Sequence, residues 1–279
     1  MQVWFEPYVV CHHNITFRNP KYLAGDAVFE ACRKNFLLYK KKKSEEVDKL
    51  GYRDNLFPDE IFSYTWVKSQ LEKPDPRKNF IFVKAMIHAV DGIPEREYLP
   101  EVKFKHTFLI RNPISVYPSL KKSLVNFFPL SSQRKIDDYN LLEDFPFYSA
   151  EKLFQKLHDM WTKIQHRDGE VPTVIDADDL ANHPEILLPK YFDAVGFPWR
   201  DDLLSWDAKP DIIREWKCSH SFVKNPTRSS FFAGAVHSSR FIPREKPLPE
   251  VEDMTEDLQE CIYASLPFYE ELSKNKLTI

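Results

Sequence analysis

Apolar residues follow two rhythms along this chain: short unbroken runs, and longer stretches in which they return every three or four positions. Residues 3–10 form a run rich in β-branched and aromatic side chains, which predicts a buried strand starting almost at Met1. Residues 79–86 (NFIFVKAM) and 103–110 (KFKHTFLI) predict two more strands, covered on both faces as in a parallel sheet. Residues 171–175 (VPTVI) predict another. The helical rhythm lies between these runs. Asp26 is placed to cap a helix reaching about Lys40, and Asp59 opens a second pattern with Ile61, Tyr64, Val67 and Leu71 on one face. Ser149 is placed to cap a long amphipathic helix carrying Leu153, Leu157, Trp161 and Ile164, with Gly169 at its end. Asn182 or His183 precedes a helix opened by Pro184 and closed near Gly196. A last helix starts around Thr255 and meets Pro267, where a kink or break is expected. Strands alternating with helices predict an α/β class with a largely parallel sheet. Residues 241–252 (FIPREKPLPEVE) read as an extended surface connection, and no repeat or low-complexity segment is found.

Composition narrows the partners. With 43% hydrophobic and 14% aromatic residues in 279, the chain can bury a substantial core and is read as a single domain over 1–279. Its 39 basic and 42 acidic residues leave a net charge of -3, which argues against a general nucleic-acid binder. Six glycines leave little from which to build a glycine-rich phosphate loop. Cys11, Cys32, Cys218 and Cys261 show no CxxC spacing and read as buried thiols, with one disulfide left open. No run is long enough to span a bilayer, and the first residues lack a signal-peptide pattern, so a cytoplasmic location is expected. The Lys40 to Lys43 cluster reads as a solvated face.

The richest stretch for chemistry is 105–120, KHTFLIRNPISVYPSL. The strand ending at Ile110 delivers Arg111 to its carboxyl edge, and Pro113 suits the first position of a following helix. Ser119 follows Arg111 by eight residues, so a guanidinium and a hydroxyl could hold one phosphate beside a helix N-terminus. By spacing alone, an Arg paired with a neighbouring acid and a Ser bonded to its own helix is the plainer alternative. Other candidates are weaker. Adjacent His12 and His13 do not have metal-ligand spacing, and no metal is expected. Ser219, His220 and Ser221 lack an oriented acid nearby in sequence. Asp176, Asp178 and Asp179 read as a strand-end turn with a helix cap.

RNPISVYPS resembles the sulfotransferase pattern RxPxxVxxS, with Val116 also in place. The resemblance implies that Arg111 and Ser119 bind the 3′-phosphate of the co-substrate 3′-phosphoadenosine 5′-phosphosulfate. Further matches follow in order. Phe5-Glu6-Pro7-Tyr8 resembles the "EP" strand end of a divergent, "aminotransferase-like" branch, and Lys84 in FVKAM resembles a "K-x-M" strand end. Residues 174–180 (VIDADDL) resemble a strand followed by two acids and Leu, and residues 192–206 the helix and loop after it. Residues 266–269 (LPFY) resemble the "LPYY" of the closing helix. Together they span nearly the whole chain. Nothing marks a pyridoxal-phosphate lysine.

The resemblance implies sulfonate transfer to a hydroxyl or amine of a small-molecule or carbohydrate acceptor. Glu6 would be the base, the alternative being a structural Glu. Lys84 would balance charge on the sulfonate, or simply pair with an acid. His88, one turn further on, is an alternative base. Arg228 falls where the family closes a loop over the nucleotide, although RSS…G departs from the RKGxxG form. The implied fold is a P-loop NTPase-like three-layer α/β/α domain with a mainly parallel sheet. Its first strand and 5′-phosphosulfate loop would precede the "EP" strand, which here starts at Phe5, and no GxxxxGK[ST] occurs elsewhere. The domain is therefore expected to be N-terminally incomplete, with catalysis impaired in this form. The rival expectation is an inactive nucleotide-binding or scaffold protein of the same fold. A phosphotransferase using ATP is disfavoured, because the lysine-bearing loop is missing. Acceptor and oligomeric state are left open.

Overall fold

The computed structural model describes residues 1–18, 55–73, 75–127, 152–209, 212–220, 222, 234–244 and 247–279. The helix expected at 26–40, the lysine cluster, Cys32, Ser149, Ser221 and Arg228 lie outside the described residues. The described part is mixed α/β, and every strand pair in it is parallel.

Strand β1 (Gln2–Phe5) pairs with β3 (Ile81–Lys84) in the register Gln2↔Ile81 to Phe5↔Lys84. Amides alternate between the two edges of a strand, so β1 can be paired twice. Gln2 N and Glu6 N donate to Phe80 O and Lys84 O, both at 2.8 Å, whereas Phe5 N donates to Lys217 O at 3.0 Å. Lys217 leads into β6 (Cys218–Ser219), which pairs with β2 (Leu56–Phe57). Hydrogen bonding thus runs β3–β1–β6–β2. A second pair joins β4 (Thr107–Ile110) to β5 (Thr173–Asp176), and Leu277 N donates to Val174 O at 2.9 Å. Among the described residues, β3 and β4 each have a strand partner on one edge only.

Three expectations need correction. The first run is not one strand: the chain turns at Glu6, and Tyr8, Val9 and Val10 lie in helix α1 (Pro7–Arg18). Those apolar residues are buried in either geometry, so composition could not distinguish them. Nor are β3 and β4 covered on both faces, for Phe82 is 42% and Leu109 60% exposed. Finally, the closing helix does not break at Pro267. The carbonyl that Pro267 deprives of a donor belongs to Tyr263, which is exposed, so water can satisfy it.

The remaining helices follow their sequence signals, except that the helix expected to open at Asp59 starts only at Tyr64, because Phe62 is extended and Ser63 supplies the cap. Helix α2 (Tyr64–Leu71) starts at Ser63, whose hydroxyl accepts from Trp66 N at 3.2 Å, and buries Tyr64, Val67 and Leu71. The Asp59–Ile61 turn that precedes it is a separate 3-10 helix. A short helix, α3 (Glu95–Tyr98), is followed by α4 (Pro113–Phe127) and α5 (Leu153–Asp168). Gly169 ends α5 in the left-handed conformation (φ 70°), and Gly196 (φ 71°) does the same for α7 (Pro184–Val195). Between them lies the one-and-a-half-turn α6 (Ala177–Asn182). The closing helix, α8 (Glu256–Lys274), packs on α4, α5 and the β4–β5 pair. Met160 of α5 touches both the core around β1 and β3 and the core around β4 and β5.

Candidate functional site

The register of β1 against β3 brings Glu6 and Lys84 together at the carboxyl ends of the two strands. Glu6 Oε1 accepts from Lys84 Nζ, and Glu6 N donates to Lys84 O. The carboxylate is buried while the lysine is about one-third exposed, its ammonium 5.4 Å from the Phe5 ring centroid. Burial pushes the Lys84 ammonium down to about 8. Glu6 also has φ 47°, and no other non-glycine residue among those described has positive φ. Glu6 alone links strand β1 to helix α1, and positive φ in a residue other than glycine costs on the order of 1–2 kcal/mol. Strained backbone of this kind concentrates at functional positions.

Two histidines lie behind the pair. His12 on α1 and His88 in the 3-10 turn Ile87–Ala89 meet edge to face, with ring centroids 6.3 Å apart. Burial lowers His12 to about 4, with Asp91 opposing the shift and Lys156 assisting it. His88 is pushed to about 3, by burial first and then by His12, Lys84 and Lys156. Both rings are therefore neutral near pH 7. Lys156 Nζ donates to Asp91 at 2.6 Å on the outer side of the group.

On the other strand pair, Arg111 follows β4, and its Nε donates to Asp178 Oδ1 at 3.2 Å. Arg244 Nη1 donates to the same oxygen at 2.7 Å, and its backbone N donates to Asn182 Oδ1 at 2.6 Å. Two guanidinium groups thus converge on one partly exposed carboxylate. Lys276 Nζ pairs with the neighbouring Asp179 at 2.5 Å. The helix terminus expected to be open is capped: Asn112 Oδ1 accepts from Ile114 N at 2.9 Å. Ser119 is exposed on α4, six residues and about 9 Å of helix rise beyond Pro113. Arg111 instead holds a neighbouring acid, Asp178, as the plainer alternative expects.

The acidic triplet is a helix cap. Asp176 Oδ1 accepts from Asp178 N at 2.8 Å and from Asp179 N at 3.3 Å, while Oδ2 accepts from Tyr269 OH at 2.9 Å. Asp176→Ala should therefore lose a cap worth about 0.5–2 kcal/mol and strand a hydroxyl worth about 1–3 kcal/mol. Urea unfolding should show a loss of about 2–4 kcal/mol, reduced to the cap alone in a Tyr269→Phe background. Equal losses in the two backgrounds would refute the shared role.

Ser219 is fully buried and donates to the Asp59 carboxylate, which leaves it in no position to attack a substrate. Cys11, Cys218 and Cys261 are buried thiols. Among the described residues no group of three or more His, Cys, Asp or Glu side chains could hold a metal ion. No helix among them is long and apolar enough to cross a membrane. A cavity of about 670 Å³ opens beside Lys103, Phe104 and Thr173, at the amino ends of β4 and β5, away from the strand ends that carry Arg111 and Asp178.

Sequence reading missed Asp178 and Arg244 as partners of Arg111, and His12 as a partner of His88. Asp178 could be found only as a helix-terminal acid; Arg244, 66 residues away, carries no local signal. No protein-family model matches this chain, and neither a curated protein nor a solved structure matches it.

Proposed function

We propose that this is a sulfotransferase-family protein, moving sulfonate from 3′-phosphoadenosine 5′-phosphosulfate to a hydroxyl or amine of a small-molecule or carbohydrate acceptor. The observation that carries the reading is the placement of Glu6, Lys84 and Arg111 at carboxyl ends of parallel strands, where open α/β sheets take their ligands. In this reading the acceptor oxygen or nitrogen attacks sulfur while the bond from sulfur to the 5′-phosphate oxygen breaks. Glu6 takes the acceptor proton, Lys84 offsets negative charge on the sulfonate, and Arg111 and Ser119 hold the 3′-phosphate. Arg228 would close over the nucleotide.

The finer fold belongs to the same proposal: a P-loop-like three-layer domain whose first strand is not among the described residues. In its support, β3 and β4 each keep an edge without a strand partner among the described residues. Each also holds a large apolar side chain in water, Phe82 and Leu109. One further parallel strand between them would join the two strand groups and cover backbone edges. The proposed form also transfers poorly. The ends of β1, β3, β4 and β5 each enter a helical turn after at most two residues, leaving little loop with which to wrap a phosphosulfate.

The test is transfer of labelled sulfonate by this chain alone and by the chain extended with a strand and phosphate loop, alongside calorimetry with adenosine 3′,5′-bisphosphate. Transfer should rise with the extension and fall about 100-fold or more in Glu6→Gln. Arg111→Ala should weaken bisphosphate binding at least about 10-fold. Vigorous transfer by the chain alone would overturn the impairment. Arg111-dependent binding without transfer in either form would favour an inactive nucleotide-binding protein, a reading supported by the mutual engagement of Glu6 and Lys84. Binding that ignores Arg111 would sink both.

A further inference from the structure

Asp178 and Arg244 have no assigned role in that reading, yet they meet Arg111 at one point. Asp178 Oδ1 accepts from Arg111 Nε and Arg244 Nη1 together, so two positive charges share a single carboxylate oxygen. A guanidinium has five N–H donors, and each arginine is matched here with one such contact. The three charged groups carry a net positive charge, and the side chains are 30%, 46% and 27% exposed for Arg111, Arg244 and Asp178. Arg244 does not reach this point by chance of a long side chain alone. Its backbone is tied to Asn182 at the end of α6, and Asp178 is fixed at the start of the same helix by the Asp176 cap. The helix that presents the acid therefore also anchors the second arginine.

We infer that Arg111 and Arg244 form a two-armed clamp for a phosphomonoester dianion, and that Asp178 occupies the clamp as an internal substitute for that anion. One carboxylate oxygen satisfies one donor from each arm. A phosphate with three terminal oxygens can engage each fork through two parallel bonds and brings twice the charge. Entry of the dianion displaces Asp178, whose carboxylate turns toward solvent. The inference deepens the proposed function, since it rests on Arg111 as a phosphate-holding residue. It differs in assigning the second arm to Arg244 and in making Asp178 a competitor of the ligand.

Isothermal calorimetry with adenosine 3′,5′-bisphosphate and, separately, with inorganic pyrophosphate tests it on the full chain and on Arg111→Gln, Arg244→Gln and Asp178→Asn. Losing either arm should weaken binding about 10- to 100-fold, the range expected for a charge-assisted hydrogen bond. Asp178→Asn should tighten binding about fivefold, because one competing charge is gone. A structural ion pair predicts the opposite sign for Asp178→Asn, which makes that variant decisive even if an arginine variant folds poorly. Unchanged bisphosphate affinity in Arg244→Gln, with Arg111 still required, would overturn the clamp and leave the sulfotransferase reading intact. Pyrophosphate binding that needs both arginines, without nucleotide binding, would support the clamp and count against that reading. No binding of either probe would defeat both.

Discussion

Acidification below pH 6.5 is expected to destabilise the protein steeply, by about 3 kcal/mol at pH 4 through His12 alone, with more from His88. The native state holds His12 near 4 and His88 near 3, whereas both titrate at 6.5 when unfolded. Between those values the unfolded chain binds protons that the folded chain refuses. Stability is thus fully retained above pH 6.5 and falls as pH drops through 6.5 toward 4. The surrounding charges mostly favour this sign: Lys156 lowers both rings and Lys84 lowers His88, while Asp91 alone raises His12. Urea midpoints at about pH 7 and about pH 4.5 should therefore diverge strongly in the natural chain. They should diverge much less in a His12→Gln, His88→Gln double variant. Carboxylates common to both proteins cancel in that comparison, so parallel pH profiles would refute the histidine origin.

Trp4→Ala is the substitution expected to cost most in the core, about 3–5 kcal/mol. Trp4 is 1% exposed, stacks on Phe57 at 5.8 Å and 3° interplanar angle, and meets Trp66 edge-on at 6.1 Å. Lys217 Nζ sits 5.5 Å from its ring, so the side chain also ties β1 to the segment entering β6. Truncation removes those aromatic contacts and leaves a cavity beneath three strands. Trp4→Phe keeps a ring in the space and should recover more than half of the loss. Guanidinium unfolding measures both, and amide exchange at Cys218 should accelerate in Trp4→Ala, because its donor bond to Asn55 lies in the next ladder. A loss below about 1 kcal/mol would show that the site collapses around the deletion.

These two predictions concern residues whose importance was unequally legible. Trp4 sits in an apolar run, so burial could be read from its neighbours. His12 could not be read: an adjacent pair of histidines has no spacing that predicts a partner at position 88. The same asymmetry divides the candidate site. Arg111 is legible because it follows the short apolar run ending at Ile110, whereas Glu6 and Lys84 lie inside such runs and are placed at strand ends only by the family resemblance. The opening run also misled, since Tyr8 to Val10 are as apolar as a strand but belong to α1. Their switch is set by the backbone of Glu6, a residue type that seldom takes positive φ and so gives no warning. At Pro267 the local rule failed for a different reason. The lost donor faces water, and exposure of one helix face is a tertiary fact.

The sequence by itself determined what depends on neighbours within a turn or two. The stops at Gly169 and Gly196, the start at Pro184, the Ser63 cap and the Asp176 cap all rest on local backbone geometry and short side chains. Tertiary structure alone decided what those elements meet. It set β1 against β3 so that Glu6 touches Lys84, and it left Phe82 and Leu109 in water. It also brought Arg244 across 66 positions to the carboxylate that Arg111 already held. Such pairings follow from the packing of whole faces and from which strand edges lie side by side, and no local pattern of residue types encodes either.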